Sequence, residues 1–297
     1  MRMITGIMTK FFHRYIYKTL IFAALIILVS GCSSTRFLYT FLEELVKDEI
    51  SFFFDLDKEE QVFMSQQVSE MVYWHRTSML PNYADYLNDI ADKMEVGKHD
   101  AAYIDDALTN GRNLIEETVT GLTPYASKFL IRHHTPKAIE NMEKKMSIRN
   151  QERLTELSET DDILFEERLE RLTSSFERFM GYLTDAQVTL LKEHAGATLG
   201  ESKIRLNIKI QRQKVFLAFI RTQPSEVELT AHLNKLLLSN YAISNPIEQG
   251  FSKASLSRFQ DLLIKILAIS STSQRETIIT KFRDYAEDFK EVSGYKE

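Results

Sequence analysis

The one cysteine of the chain, Cys32, closes the run Leu28-Val29-Ser30-Gly31-Cys32. Small and aliphatic residues leading into a lone thiol have the form of a lipobox. The chemistry it supports is acylation: a thioether from Cys32 to diacylglycerol, then an acyl group such as palmitate on the amine freed by cleavage. A buried structural cysteine fits poorly just behind an apolar leader, and exported chains that use cysteines for disulfides carry them in pairs. Residues 1–18 hold Arg2, Lys10, Arg14 and Lys18 and no acid, and Thr19–Ser30 is apolar. A basic start, an apolar core and small residues at the cut make a secretory signal. An uncleaved span would need roughly 17–25 apolar residues, and Lys18 and Arg14 interrupt the run before that. More than one acyl chain makes attachment stable.

Other chemistry is sparse. No HExxH, phosphate loop, Gly-x-Ser-x-Gly or dinucleotide fingerprint is present, so no residue is assigned as catalytic, cofactor-binding or metal-ligating. His133-His134 is the only histidine pair, and adjacent residues on a helix do not face one another. Trp74-His75-Arg76 places the one tryptophan beside two polar side chains, as a polar bridge between helices or the lining of a pocket. Residues 202–225 contain Lys203, Arg205, Lys209, Arg212, Lys214 and Arg221 and no acid. Lys203, Arg205, Lys209 and Arg212 form a candidate anion-binding face for lipid phosphates, lipopolysaccharide or cell-wall carboxylates. The alternative is internal pairing with an acidic helix such as the one carrying Glu166, Glu167 and Glu170.

The elements that must position these residues read as helices. Glycine and proline number 10 and 5 in 297 residues, too few for the turns of a many-stranded sheet. Residues 37–54 form a first helix. Asp57 to Glu60 has capping-box form, and Met64, Val68, Met71, His75 and Met79 continue one helical face to a bend at Pro81. A further helix runs to a stop at Gly97. The next covers Ala101 to Val119 and ends at Gly121, with Thr123-Pro124 and Thr135-Pro136 opening two more. Phe165, Leu169, Leu172, Phe176, Phe179 and Leu183 recur at spacings of four and three, a seam for packing another helix. Thr184 to Gln187 is a second capping box. Residues 203–210 alternate like a strand, but Ile204, Ile208, Val215 and Phe219 also make a helical stripe, and helix is the expectation. Ser225 to Glu228 caps a helix to Tyr241, Pro246 to Gly250 is a loop, and Ser273 to Glu276 caps the last helix. The fold class is therefore all-α: roughly ten helices in a bundle, in one body or two packed halves. The domain organisation is a signal peptide over 1–31, a lipidated Cys32 with a tether to 36, and a helical periplasmic domain over 37–297.

Net charge is −5 with the leader and −9 without its four cations, which with the compartment argues against nucleic acid as a partner. Ser33, in place of an Asp, is the residue that in lipoproteins of enteric-type bacteria lets the protein travel to the outer membrane. The tether reaches on the order of 10 Å, so the body is expected to lie against the bilayer.

Six stretches, SSTRFLY, FFFDLDKEEQ, Trp74-His75-Arg76, MLPNYADYL, YLTDAQVTLLKEH and KIQRQKVFLAFIR, resemble in this order an uncharacterised family of Gram-negative outer-membrane lipoproteins. The resemblance implies a helical fold and an outer-membrane address and supplies no activity. Leu183-Thr184-x-x-Gln187 is also similar to an element of small periplasmic helical chaperones, although a capping box accounts for it as well. The expectation is a lipid-anchored, non-enzymatic binding or scaffold protein on the periplasmic face of the outer membrane, holding the membrane through Cys32 and an envelope protein, lipopolysaccharide or the cell wall through its body. The alternatives are a chaperone-like clamp for unfolded envelope proteins and an envelope hydrolase with a scattered site.

Overall fold

The computed structural model describes residues 34–238 and 246–294. The lipobox residues Leu28, Val29, Ser30 and Gly31, the thiol of Cys32 and the expected leader lie outside them. Ten helices and no strand are found among the described residues. They are α1 (Ser34–Phe53), α2, α3 (Ala101–Leu130), α4 (Pro136–Glu156), α5 (Asp161–Met180), α6 (Asp185–Ala197), α7 (Glu201–Ile220), α8 (Glu226–Leu238), α9 (Pro246–Ala268) and α10 (Thr272–Ser293). Helix α2 consists of α2a (Lys58–Trp74) and α2b (Leu80–Glu95), joined without a break by a π-helical turn, His75–Met79.

The helix starts follow side-chain chemistry. Asp57 Oδ1 accepts from the Glu60 amide at 2.9 Å and Glu60 Oε2 accepts from the Asp57 amide at 2.9 Å, satisfying two amides that the first turn leaves unpaired. Asp100, Thr135, Thr160, Thr184 and Ser271 cap α3, α4, α5, α6 and α10 in the same sense. Gly97 ends α2b with φ +83°, a conformation a side chain would resist.

Four sequence expectations are corrected. Gly121 and Pro124 do not separate two helices: α3 runs through both to Leu130. Thr123 is buried mid-helix, its hydroxyl 2.9 Å from the Thr120 carbonyl and 2.7 Å from the side-chain amide of Asn234 on α8, so the proline's missing amide is tolerated inside a helix held by α8. The last helix is capped by Ser271 and Gln274, not by Ser273 and Glu276. The Pro246 to Gly250 segment is the first turn and a half of α9 rather than a loop, since proline suits a helix's first position. The first helix begins at Ser34, three residues before the expected Phe37. Residues 203–210 are helical, within α7.

Two apolar cores result. One gathers Phe54, Val68, Phe129, Met142, Leu217 and Leu229 from α1, α2a, α3, α4, α7 and α8. The other gathers Ile90, Met180, Leu191, Leu262, Ile266 and Ile278 from α2b and the helices between α5 and α10. Helices α2 and α3 run through both, tying the halves into one bundle. The seam residues Leu169, Leu172, Phe176 and Phe179 pack on the second core. Helices α2b and α10 lie side by side, and Arg283 reaches from α10 to Asp92 at 3.1 Å and Glu95 at 2.5 Å. No described helix is long and apolar enough to cross a membrane.

Candidate functional site

Trp74, His75 and Arg76 face three different surroundings, as successive residues of a helix set about 100° apart must. Arg76 is exposed, its guanidinium 5.6 Å from the centroid of Tyr73. Trp74 lies across α3 on Gly121, so close that a Cβ at 121 would sit 1.9 Å from its Cη2. The glycine read as a helix stop is the slot for this ring.

His75 is the centre of a polar bridge. Its Nδ1 lies 2.5 Å from Tyr39 Oη on α1 and its Nε2 lies 3.5 Å from Tyr83 Oη on α2b. Tyr83 is also hydrogen-bonded to Thr118 Oγ1 on α3, and Thr118 donates to the Leu114 carbonyl at 2.8 Å. The carbonyl takes only a donor, which sets every proton upstream: Thr118 accepts from Tyr83, Tyr83 accepts from His75 Nε2–H, and His75 Nδ1 accepts from Tyr39. Burial lowers the His75 pKa and favours this neutral tautomer. Burial, with the neighbouring Tyr83, pushes the Tyr39 phenol well above its usual range, so Tyr39 keeps its proton. Every proton in the chain has an acceptor, and the bridge fastens α1 to α2 and α3.

The basic run divides. Arg205 bonds Glu201 Oε2 at 2.9 Å and Ser255 Oγ at 2.5 Å, with Phe251 under its guanidinium. Arg258 of α9 holds Glu201 Oε1 through Nε at 3.0 Å and Nη2 at 2.5 Å. Burial would raise Glu201, but the hydrogen bonds from Ser255, Arg258 and Arg205 outweigh it and hold its carboxyl below the usual range. Glu201 is the residue immediately before the acid-free stretch and is 5 % exposed. Arg221 pairs with Glu143 on α4. The expected partners Glu166, Glu167 and Glu170 take neither arginine. Lys203 and Lys209 are exposed and make no ion pair among the described residues, and Arg212 is half-buried.

His133 and His134 also part company. His133 is buried, stacked on Phe129 with its Nδ1 2.8 Å from that residue's carbonyl, while the His134 carbonyl accepts from Gln223. Among the described residues no three His, Cys, Asp or Glu side chains gather as a metal site.

Sequence reasoning missed a groove. Helices α3 and α9 run antiparallel, with Gln260 bonded to Asp105 at one end and Phe251 opposite Ala126 and Leu130 at the other. Between them three cavities follow one another. The first, ≈ 460 Å³, lies among α2b, α3, α5, α9 and α10. The second, ≈ 660 Å³, shares Tyr86, Leu108 and Phe259 with it. The third, ≈ 580 Å³, meets the second at Leu237 and is edged by Arg205, Lys209 and Arg212. Ile115, 63 % exposed, lies on the wall of the second.

Leu183-Thr184-x-x-Gln187 is a capping box in fact. Thr184 Oγ1 accepts from the Gln187 amide at 3.3 Å, and Gln187 Oε1 accepts from the Thr184 amide at 3.0 Å. Gln187 is wholly buried and pairs with Gln274, the corresponding residue of α10, through two amide bonds of 3.0 and 2.8 Å.

No curated protein and no solved structure matches the chain. The resemblance read from the sequence is met at the level of a family, without an outer-membrane attribution. Residues 52–245, which carry the π turn, Tyr83, Thr118, the Gln187 box and the basic run, match the model of the family of unknown function DUF6279, and the chain belongs to that family.

Proposed function

We propose that this protein is a lipid-anchored binding and scaffold protein on the periplasmic face of the outer membrane, with no catalytic role. The observation that carries the reading is the lack of slack behind Cys32. Helix α1 starts two residues later, at Ser34. It is fastened at once: Arg36 Nε bonds Asp288 at 3.0 Å on α10 and the guanidinium also pairs with Glu291, and Tyr39 bonds His75 one turn on. A body joined so closely to a multiply acylated residue stays at the bilayer, which suits a stationary scaffold. Its partner is an envelope protein, lipopolysaccharide or the cell wall. In cells fed a clickable palmitate, the wild-type protein is expected to carry the label covalently and fractionate with outer membranes, and Cys32→Ser to lose both. Crosslinking in cells is expected to recover a reproducible envelope partner. An unlabelled wild-type protein, or a Cys32→Ser variant that fractionates unchanged, overturns the reading.

A chaperone-like clamp for unfolded envelope proteins is the second reading, supported by the apolar groove. Delay of aggregation of a denatured client at near-stoichiometric ratio tests it. For the envelope-hydrolase alternative, the ≈ 460 Å³ cavity offers no His, Asp or Glu, whereas Glu156, Glu159 and Glu167 meet Arg153, Arg168 and Arg171 around a separate ≈ 330 Å³ cavity; hydrolysis of an envelope substrate that is lost on replacing these carboxylates would favour it.

A further inference from the structure

We propose that the groove between α3 and α9 is a binding site for a long-chain monoacyl anion, with the chain lying over Leu237, Leu256 and Phe259 and the head group on Arg205, Lys209 and Arg212. This rests on the binding-protein reading above and names its ligand class.

The first cavity, where the chain end arrives, favours hydrocarbon over peptide. In the first cavity the tyrosines are already satisfied: Tyr86 donates to the Ala107 carbonyl at 2.9 Å and Tyr103 to the Ile90 carbonyl at 3.3 Å. A polypeptide entering there would bury backbone amides and carbonyls with nothing to bond, a penalty a hydrocarbon chain does not meet. The three cavities stand in line along the helices rather than side by side, which suits one chain rather than two.

The head-group end is set by charge. Only where the groove reaches α7 does it acquire Arg205, Lys209 and Arg212 together. Glu201, the acid bonded to Arg205, is already shared with Arg258, and Lys209 makes no ion pair among the described residues, so this rim keeps positive charge. Ser255, bonded to both Glu201 and Arg205, holds that guanidinium in place beside Phe251. The fixed arginine and the mobile lysine together suit a carboxylate or phosphate.

The length also fits. From Phe251, beside the basic rim, to Phe259 is about 12 Å along α9, and to Leu263 about 18 Å. The hydrocarbon of one bilayer leaflet, and so one acyl chain, is about 15 Å deep. A head group at the rim places the chain end between the second cavity and the first.

The test uses full-length protein held in an amphipathic polymer and irradiated with palmitate carrying a mid-chain diazirine. A saturable adduct is expected on peptides holding Ile115 or Leu256 to Leu263. Unlabelled palmitate or lysophosphatidylglycerol should displace it, and which of them does so identifies a carboxylate or a phosphate head. Hexadecanol should compete poorly. Lys209→Glu should weaken labelling by about ten-fold, the loss of a charge-assisted contact, with melting unchanged. Labelling that does not saturate, maps elsewhere, is matched by hexadecanol, survives the charge reversal, or is displaced only by a denatured protein would overturn the proposal. The wild-type competition arms decide the matter even if the variant folds poorly. The covalent label at Cys32 is read separately, so a failed anchor and a failed groove give different results.

Discussion

Replacing Gly121 by alanine should destabilise the protein although alanine is the better helix former. In an exposed helix interior the change would favour folding by about 1 kcal/mol. Here the new methyl would lie 1.9 Å from Trp74 Cη2, 2.0 Å from Cζ2 and 2.8 Å from Cζ3. Carbon atoms rest about 3.5–4.0 Å apart, so the indole must retreat by roughly 1.5–2 Å. A partly expelled ring forfeits on the order of 100 Å² of burial, about 2.5 kcal/mol, and overpacking of this kind costs about 1–3 kcal/mol. After the helix gain is subtracted, the net loss is about 1–2 kcal/mol, a fall in Tm of roughly 2–8 °C for a chain of this size. Trp74 is the only tryptophan, so its emission reports the ring directly and should shift to the red. The decisive comparison is a double-mutant cycle. In a Trp74→Leu background the same Gly121→Ala change should become neutral or stabilising, by up to about 1 kcal/mol. If Gly121→Ala raises Tm with Trp74 present and leaves its emission unchanged, the glycine does not serve as the ring's slot.

Three other outcomes are expected. Glu201→Gln leaves Arg205 and Arg258 without their anion, and because those side chains are 59 % and 37 % exposed the loss should be about 1–3 kcal/mol rather than that of a fully buried pair. The folded-state pKa of Glu201 is depressed, so its contribution is complete above the unfolded value and is lost as pH falls through the folded one. Denaturant midpoints should therefore separate wild type from Glu201→Gln at neutral pH and converge in acid below about pH 4; a constant gap refutes this. Gln187→Ala removes two buried amide bonds to Gln274, which keeps its bonds to the Tyr182 carbonyl and the Ser271 amide, and should cost about 1–3 kcal/mol, while adding Gln274→Ala should cost less than the sum, which additive midpoints would contradict. Tyr39→Phe removes the only donor to His75 Nδ1 and should lower stability by about 1 kcal/mol. His75 is held neutral by burial, its folded pKa lowered, so its share of stability falls as pH drops below about 6.5. His75→Gln should flatten that acid limb between neutrality and about pH 5, and an unchanged slope would show that His75 does not couple to folding.

Helix positions were legible in the residues because their causes are local. Asp57 with Glu60, and Thr184 with Gln187, satisfy first-turn amides three residues apart, and the seam from Phe165 to Leu183 repeats within one helix. Such signals do not depend on what the helix packs against. The lone Cys32 behind an apolar leader is equally local. What failed were residues whose role lies across the bundle. Gly121 carries the composition of a stop, yet its reason is an indole 47 positions earlier in the chain. Ser273 and Glu276 match a capping box as well as Ser271 and Gln274 do. Gln274 prevails because a neutral amide can pair with buried Gln187, where a carboxylate facing the same amide oxygen would meet an unpaired acceptor. The basic character of the run from Lys203 to Arg221 is misleading because the acid paired with Arg205, Glu201, stands two residues before it, and that acid's second guanidinium, Arg258, comes from another helix.

By itself, then, the order of residues determined that the chain is helical, where most helices begin, and that its one thiol follows a run of small and aliphatic residues. Which charges are neutralised, which glycine holds a ring, how His75 is protonated, and that α3 and α9 leave an apolar groove with a cationic end were decided only by tertiary structure. The physical reason is range. Backbone hydrogen bonds and caps join residues three or four apart, whereas desolvation, ion pairing and steric fit act between side chains that only the packed bundle brings within a few ångströms of one another.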